Sequence, residues 1–131
     1  AVRGGAGVVR VACPQEVTPT VAAANPCYLT APLAHRADGT YAEPTVAELA
    51  RLAEAADVLA VGPGLGNRAD VATLVRGLLT AAADKPAVLD ADALNVLSPW
   101  RGFPGRKGEL ILTPHPAEFA RLLGVTTADV Q

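Results

Sequence analysis

This sequence predicts an α/β fold with a mostly parallel sheet, and three segments carry the prediction. In each, a short apolar run ends in a polar or glycine-rich turn, and a helical pattern follows. The first is Val58-Leu59-Ala60-Val61 before Gly62-Pro63-Gly64-Leu65-Gly66-Asn67. The second is Ala87-Val88-Leu89 before Asp90-Ala91-Asp92-Ala93-Leu94-Asn95. The third is Leu110-Ile111-Leu112 before Thr113-Pro114-His115-Pro116-Ala117-Glu118. Parallel sheets bind ligands where their strands deliver their carboxyl ends. All three turns fall there, which predicts that they line one crevice.

The other elements follow in chain order. Val8-Val9-Arg10-Val11-Ala12 is β-branched and apolar and reads as a buried strand entered through Gly5-Ala6-Gly7. Residues 14–24 read as a short helix that Pro19 bends or ends and Asn25-Pro26 stops. Residues 27–33 read as a second strand. The polar, turn-rich stretch 35–44 reads as a loop, and its His35 as a solvated residue rather than a ligand. Thr45-Val46-Ala47-Glu48 has the spacing of a capping box, with Thr45 at N-cap and Glu48 at N3. The helix it opens carries Leu49, Leu52, Ala53 and Ala56 on one face. Val71, Leu74, Val75, Leu78, Leu79 and Ala82 give residues 68–83 the strongest amphipathic pattern of the chain. Residues 92–97 read as a short helix broken at Ser98-Pro99, and 100–108 as a loop. The last helix, 116–123, is followed by Gly124 in the usual terminating place.

Composition narrows the function classes. The chain has 131 residues, half of them hydrophobic, and a formal charge of -2. Lys and Arg are not clustered, which argues against nucleic acid. No apolar run approaches the ~20 residues that span a bilayer, and no targeting pattern opens the sequence. Cys13 and Cys27 give neither a disulfide framework nor metal-ligand spacing. Reduced cysteines packed near a core are the expectation for both. Both ends read as cut through structure. Ala1-Val2-Arg3-Gly4-Gly5 resembles a last helical turn with a glycine stop, and Thr127 sits where it could cap a new helix. The expectation is an internal piece of a larger fold.

Each candidate site segment has two readings. Glycines at 62, 64 and 66 let backbone N–H groups approach a phosphate or a ring, and the following helix start is electropositive. The segment is neither a Walker A loop nor the dinucleotide fingerprint, and a plain tight turn explains it equally well. Asp90 and Asp92 suit metal binding, base catalysis or hydroxyl recognition. They also suit local work, Asp90 tying its turn and Asp92 capping the short helix, and capping is the favoured reading for Asp92. Pro116 fits the first helical position, which makes His115 the N-cap residue and lets Glu118 reach back to its N–H. A helix N-terminus disfavours imidazolium, so His115 is expected to be neutral. Ligand contact and structural capping both remain open for it.

Taken together, these segments resemble the ADP-dependent NAD(P)H-hydrate dehydratases of the ribokinase-like superfamily. The matching stretches are Gly4-Gly5-Ala6-Gly7-Val8-Val9-Arg10-Val11-Ala12, Val61-Gly62-Pro63-Gly64-Leu65-Gly66, Leu89-Asp90-Ala91-Asp92-Ala93-Leu94-Asn95 and Leu112-Thr113-Pro114-His115-Pro116-Ala117-Glu118-Phe119-Ala120-Arg121-Leu122. The resemblance implies a three-layer α/β/α ribokinase-like fold, incomplete at both ends, with residues 1–131 the central part of one domain. It implies a cytoplasmic repair enzyme that dehydrates the (6S) hydrates of NADH and NADPH. ADP (or ATP) would donate the phosphoryl group that turns a poor leaving group into a good one, with Mg2+ assisting. The substrate-binding residues it implies are Gly62, Gly64, Gly66, Asp90, Asn95, His115, Pro116, Glu118 and Arg121, with Ala1 and its Gly-rich turn nearby. The family's Gly-Thr-Gly-Asp segment, which holds the adenine nucleotide's phosphates and supplies the catalytic Asp, has no counterpart here, and Lys107 is out of place for the nucleotide site. The expectation is therefore a chain that holds mainly the substrate side and is inactive alone. A homo-oligomer and an epimerase domain fused upstream are compatible with the family, though no residue argues for either. Two other classes compete: a ribokinase-like kinase acting on a vitamin-precursor hydroxyl, and a non-catalytic nucleotide-binding remnant.

Overall fold

The computed structural model describes residues 1–41 and 44–130, and the chain divides into two compact units, Ala1–Glu48 and Leu49–Gln131. In the first unit, β1 (Val9–Pro14) pairs in parallel with β2 (Tyr28–Leu33), Val9 opposite Tyr28 and Pro14 opposite Leu33. A parallel pair needs a crossover, and a 3-10 turn, Gln15–Val17, followed by α1 (Thr18–Ala24) supplies it. Pro19 lies in the first turn of α1, so it opens the helix that it was expected to bend or end. Its missing N–H would have no partner there in any case. Cys13 is buried and Cys27 is exposed, and both are free thiols. The expectation of a core position therefore fails for Cys27, which follows the turn at Asn25 and lies just before β2, with its own N–H bonded to Asn25 Oδ1 at 2.9 Å.

Two further expectations in this unit are corrected. His35 forms an antiparallel bridge with Tyr41, and its Nε2 lies 2.6 Å from Glu16 Oε2 with the ring only 21% exposed. It is a partly buried partner of the Glu16 carboxylate and not a solvated loop residue. α2 (Pro44–Glu54) starts before Thr45, which lies inside the helix, and the Thr45 hydroxyl donates to the Ala34 carbonyl at 2.9 Å. Thr45 is fully buried by this bond, so it does not cap the helix as its spacing had indicated. Ala42 and Glu43, part of the expected loop, lie outside the described residues.

The second unit holds β3 (Leu59–Val61), β4 (Ala87–Leu89) and β5 (Leu110–Leu112) in that order, all parallel. Leu59, Ala87 and Leu110 are level with one another, as are Val61, Leu89 and Leu112. α3 (Ala69–Ala81), α4 (Asp92–Leu97) and α5 (Pro116–Leu123) follow the three strands in turn, and α4 packs against both α3 and α5. All six apolar residues of the α3 pattern are buried, together with Leu89, Leu94, Leu97, Ala120 and Leu122. Burying one such leucine contributes about 1.5–3 kcal/mol, so this core fixes the ends of the strands where the candidate segments begin. Trp100 and Phe103 stack edge to face at 5.7 Å in the loop before β5. Among the described residues no helix is long and apolar enough to cross a membrane.

Candidate functional site

The register of β3, β4 and β5 puts Gly62, Asp90 and Thr113 side by side just past the strand ends. The ladder continues into the turns: Asp90 N–H donates to Val61 O at 3.1 Å and Thr113 N–H to Leu89 O at 3.2 Å. Adjacent strands lie about 4.8 Å apart, so the glycine bend and the histidine turn share one rim, two strand spacings from each other.

Gly62 has φ 149°, and a Cβ there would fall 1.8 Å from the Asp90 carbonyl oxygen. Only glycine permits that approach. Leu65 N–H donates to Gly62 O at 3.2 Å, which closes a turn with Pro63 and Gly64 at its centre. Gly64 has φ 79°, as the third position of a type II turn requires. Nothing lies within 4 Å of where its Cβ would be, so this corner of the bend opens outward.

The acids of the rim are all engaged by the scaffold. Asp90 Oδ1 accepts from Ala91 N–H at 2.9 Å and ties its own turn. Asp92 Oδ2 accepts from Gly66 N–H at 2.8 Å, across to the first turn. The N-cap of α4 is Ala91, so the expectation that Asp92 caps this helix is corrected. The physical cause is Ala91 itself, whose φ of 47° and ψ of −120° form a strained turn that redirects the next residue. Two acids separated by one residue at a strand end, facing a glycine-rich neighbour, were the available signal for this bridge.

His115 occupies the N-cap of α5, with Pro116 at the first helical position. Its Nδ1 accepts from Ala117 N–H at 3.2 Å, so that nitrogen carries no proton. The protonated Nε2 then lies 3.3 Å from Glu118 Oε1, while Glu118 Oε2 accepts the His115 N–H at 3.0 Å. Both imidazole nitrogens thus serve the cap. The ring is still 59% exposed, which leaves its face open to a ligand. Asn95 on α4 accepts at Oδ1 from Arg121 Nε on α5 at 3.1 Å, a bond that leaves the outer edge of the exposed guanidinium for solvent or ligand.

The rim can hold and orient a ligand, and Asp90, Asp92 and Glu118 each already accept a backbone N–H through one carboxylate oxygen. Among the described residues no group of three or more His, Cys, Asp or Glu could hold a metal ion. A cavity of about 170 Å3, bordered by Glu54, Asp84, Lys85 and alanines of α2 and α3, opens before β4, away from the strand ends that carry the site. No motif or spacing points to Arg106, which gathers the carbonyls of Leu79, Ala82 and Lys85 around the end of α3. Ala1 lies in the first unit, where its carbonyl accepts from Gly4 and Ala6.

The model of one family, the NAD(P)H-hydrate dehydratases, matches residues 1–131. This chain belongs to that family. It is 43% identical over 133 residues to a bifunctional NAD(P)H-hydrate repair enzyme of Moorella thermoacetica, a match covering 100% of this chain and 25% of that protein. It is 60% identical over 75 residues to an ADP-dependent (S)-NAD(P)H-hydrate dehydratase of Neisseria meningitidis serogroup B, covering 54% of this chain and 25% of that protein. The chain thus spans about a quarter of the length of the curated relatives it matches. Among solved structures, a ribokinase-like superfamily protein from Enterococcus faecalis V583 aligns with a TM-score of 0.78 at 21% identity, over 99% of this chain and 42% of that one. That likeness speaks for the fold, and it agrees with the parallel α/β architecture that the sequence predicted. The family whose residues the sequence resembles is the family that matches.

Proposed function

We propose that the rim of the second unit is the dinucleotide-facing side of an ADP-dependent NAD(P)H-hydrate dehydratase, and that the whole chain is the central part of one ribokinase-like domain. One observation carries the reading: three turns share a rim, and every carboxylate on it is committed to a backbone N–H. A rim of this kind binds and orients, while the chemistry falls to groups outside it. Phosphoryl transfer followed by loss of phosphate asks for positioning and charge stabilisation above all.

In this reading the open corner at Gly64, flanked by Gly62 and Gly66, receives the dinucleotide backbone closely. His115, Pro116 and Glu118 form the adjoining wall, with the imidazole face towards the ligand. Asp90 and Asn95 hold the floor, and Arg121 offers its cation to a phosphate. ADP and the catalytic Asp belong to the remainder of the fold, and no step through Mg2+ is assigned to these residues. A cytoplasmic location goes with the substrate. The bifunctional name of the Moorella relative supports a second activity in a longer protein of this kind, an epimerase in the family reading.

The test is turnover by the full-length protein that carries this chain, given NADH hydrate and ADP. Recovery of NADH absorbance supports the proposal. A stable phosphorylated product without that recovery identifies a kinase instead, and dinucleotide binding without turnover identifies a binding remnant.

A further inference from the structure

We infer that Asp92 is a positioning residue for the dinucleotide site, holding the glycine bend in the shape that leaves Gly64 free for the ligand. This inference rests on the proposed role of the bend in binding. The bend consists of residues 62–66, with positive φ at Gly62, Gly64 and Gly66. Glycines resist such shapes least, and for the same reason they hold them least firmly. Its internal tie is the backbone bond from Leu65 N–H to Gly62 O. Its far end is held by the Asp92 carboxylate on Gly66 N–H at 2.8 Å, 26 residues away in the chain. An ionised acceptor makes this about twice as strong as a neutral hydrogen bond. Asp92 is also the first residue of α4, where a negative charge is favoured by the helix.

The two aspartates of this turn therefore divide their work. Asp90 secures its own turn through Ala91 N–H, and Asp92 reaches across to the neighbouring one. The strained φ of 47° at Ala91 lies between them, a backbone state that persists only where its surroundings enforce it. Gly66 N–H is consumed by the clamp, so within the bend Gly66 serves the scaffold and Gly64 serves the ligand.

The test compares full-length proteins carrying Asp92→Ala, Asp92→Asn, His115→Ala and, as a purely structural reference, Ser98→Ala. Ser98 Oγ donates to the Leu94 carbonyl within α4, away from the bend. The readouts are KM for the hydrated dinucleotide, kcat, melting temperature and amide hydrogen exchange over residues 62–67. Asp92→Ala is expected to speed exchange at Gly66 and to raise KM by about tenfold or more with little change in kcat, since small misplacements of binding groups cost this much. Asp92→Asn keeps an acceptor and is expected to restore most of the affinity; it decides the matter if the alanine variant does not fold. Ser98→Ala is expected to lower the melting temperature and leave KM unchanged. If both Asp92 variants keep the wild-type KM while His115→Ala raises it, the clamp is overturned and the proposed function stands. If His115→Ala leaves KM unchanged as well, both readings fall.

Discussion

Glu118 grips His115 at two points: Oε2 accepts the backbone N–H at 3.0 Å, and Oε1 lies 3.3 Å from the imidazole Nε2. Glu118 is itself buried, so its carboxylate has few alternatives to these contacts. Glu118→Ala is expected to destabilise the protein by about 2 kcal/mol, the upper range for losing a helix cap. Glu118→Gln keeps an acceptor for the backbone N–H and loses the second carboxylate oxygen, so it should cost less. Denaturant melts rank the two. If the imidazole face meets the dinucleotide, both variants also raise KM, because the ring then keeps only its Nδ1 bond to Ala117 N–H and is held less firmly.

Two glycines in one bend predict opposite phenotypes. At Gly62 a methyl group would meet the Asp90 carbonyl in a backbone state already unsuited to side chains. Gly62→Ala is expected to destabilise by about 3 kcal/mol or more, from overpacking and strain together. Gly64→Ala meets open space and suffers only from its φ, at about 1–2 kcal/mol. Its larger effect should fall on dinucleotide affinity, read by calorimetry on the folded variant. A Gly64→Ala protein that loses stability and keeps full affinity would remove Gly64 from the site.

The contrast between these glycines shows what was legible in the sequence. The alternation of apolar runs and turns placed β3, β4 and β5 to within a residue, because burial sets periodicity and periodicity is written in the chain. Helix α5 was legible in detail, with His115, Pro116, Glu118 and Gly124 each in the expected role, since caps are local chemistry. Contacts across the chain were not legible. Thr45 matched a capping pattern and bonds to Ala34 instead, while His35 in a polar loop pairs with Glu16. Asp92 satisfied every local rule for a cap and reaches across to Gly66. In each case a partner distant in sequence decides what the side chain does, and no spacing rule reports it.

Arg106 supplies a third prediction. Its Nη1 donates to the carbonyls of Leu79 and Ala82 at 2.7 and 3.0 Å, and its Nη2 donates to that of Lys85. Burial pulls the guanidinium below its ordinary range, which the neighbouring Asp84 partly offsets. Removing it leaves the carbonyls of Leu79 in the last turn of α3, and of Ala82 and Lys85 beyond it, without this donor. Arg106→Ala is expected to cost about 1–3 kcal/mol, seen as a lower midpoint in denaturant. Arg106→Lys should recover only part, because one ammonium cannot reproduce a planar fork. Full recovery by lysine would mean that charge, and not the fork, is what α3 requires.

The last prediction concerns pH. The Thr126 hydroxyl and the Thr126 backbone N–H both donate to Asp129 Oδ2, at 2.6 and 2.9 Å, and hold its carboxyl below the usual carboxylate range. These bonds favour the charged form, so they support the turn Thr127–Val130 while Asp129 is ionised. A lowered value in the folded chain means that this support is complete above the carboxyl's unfolded value and is lost as pH falls through its folded one. Above neutral pH, therefore, the turn should be insensitive to further change. Carboxyl carbon shifts followed by NMR across the acid range should place the Asp129 midpoint below the ordinary aspartate value. Thr126→Ala removes the hydroxyl and keeps the backbone N–H, and it should move the midpoint upward without abolishing the displacement. An unchanged midpoint in that variant would assign the whole effect to the backbone donor.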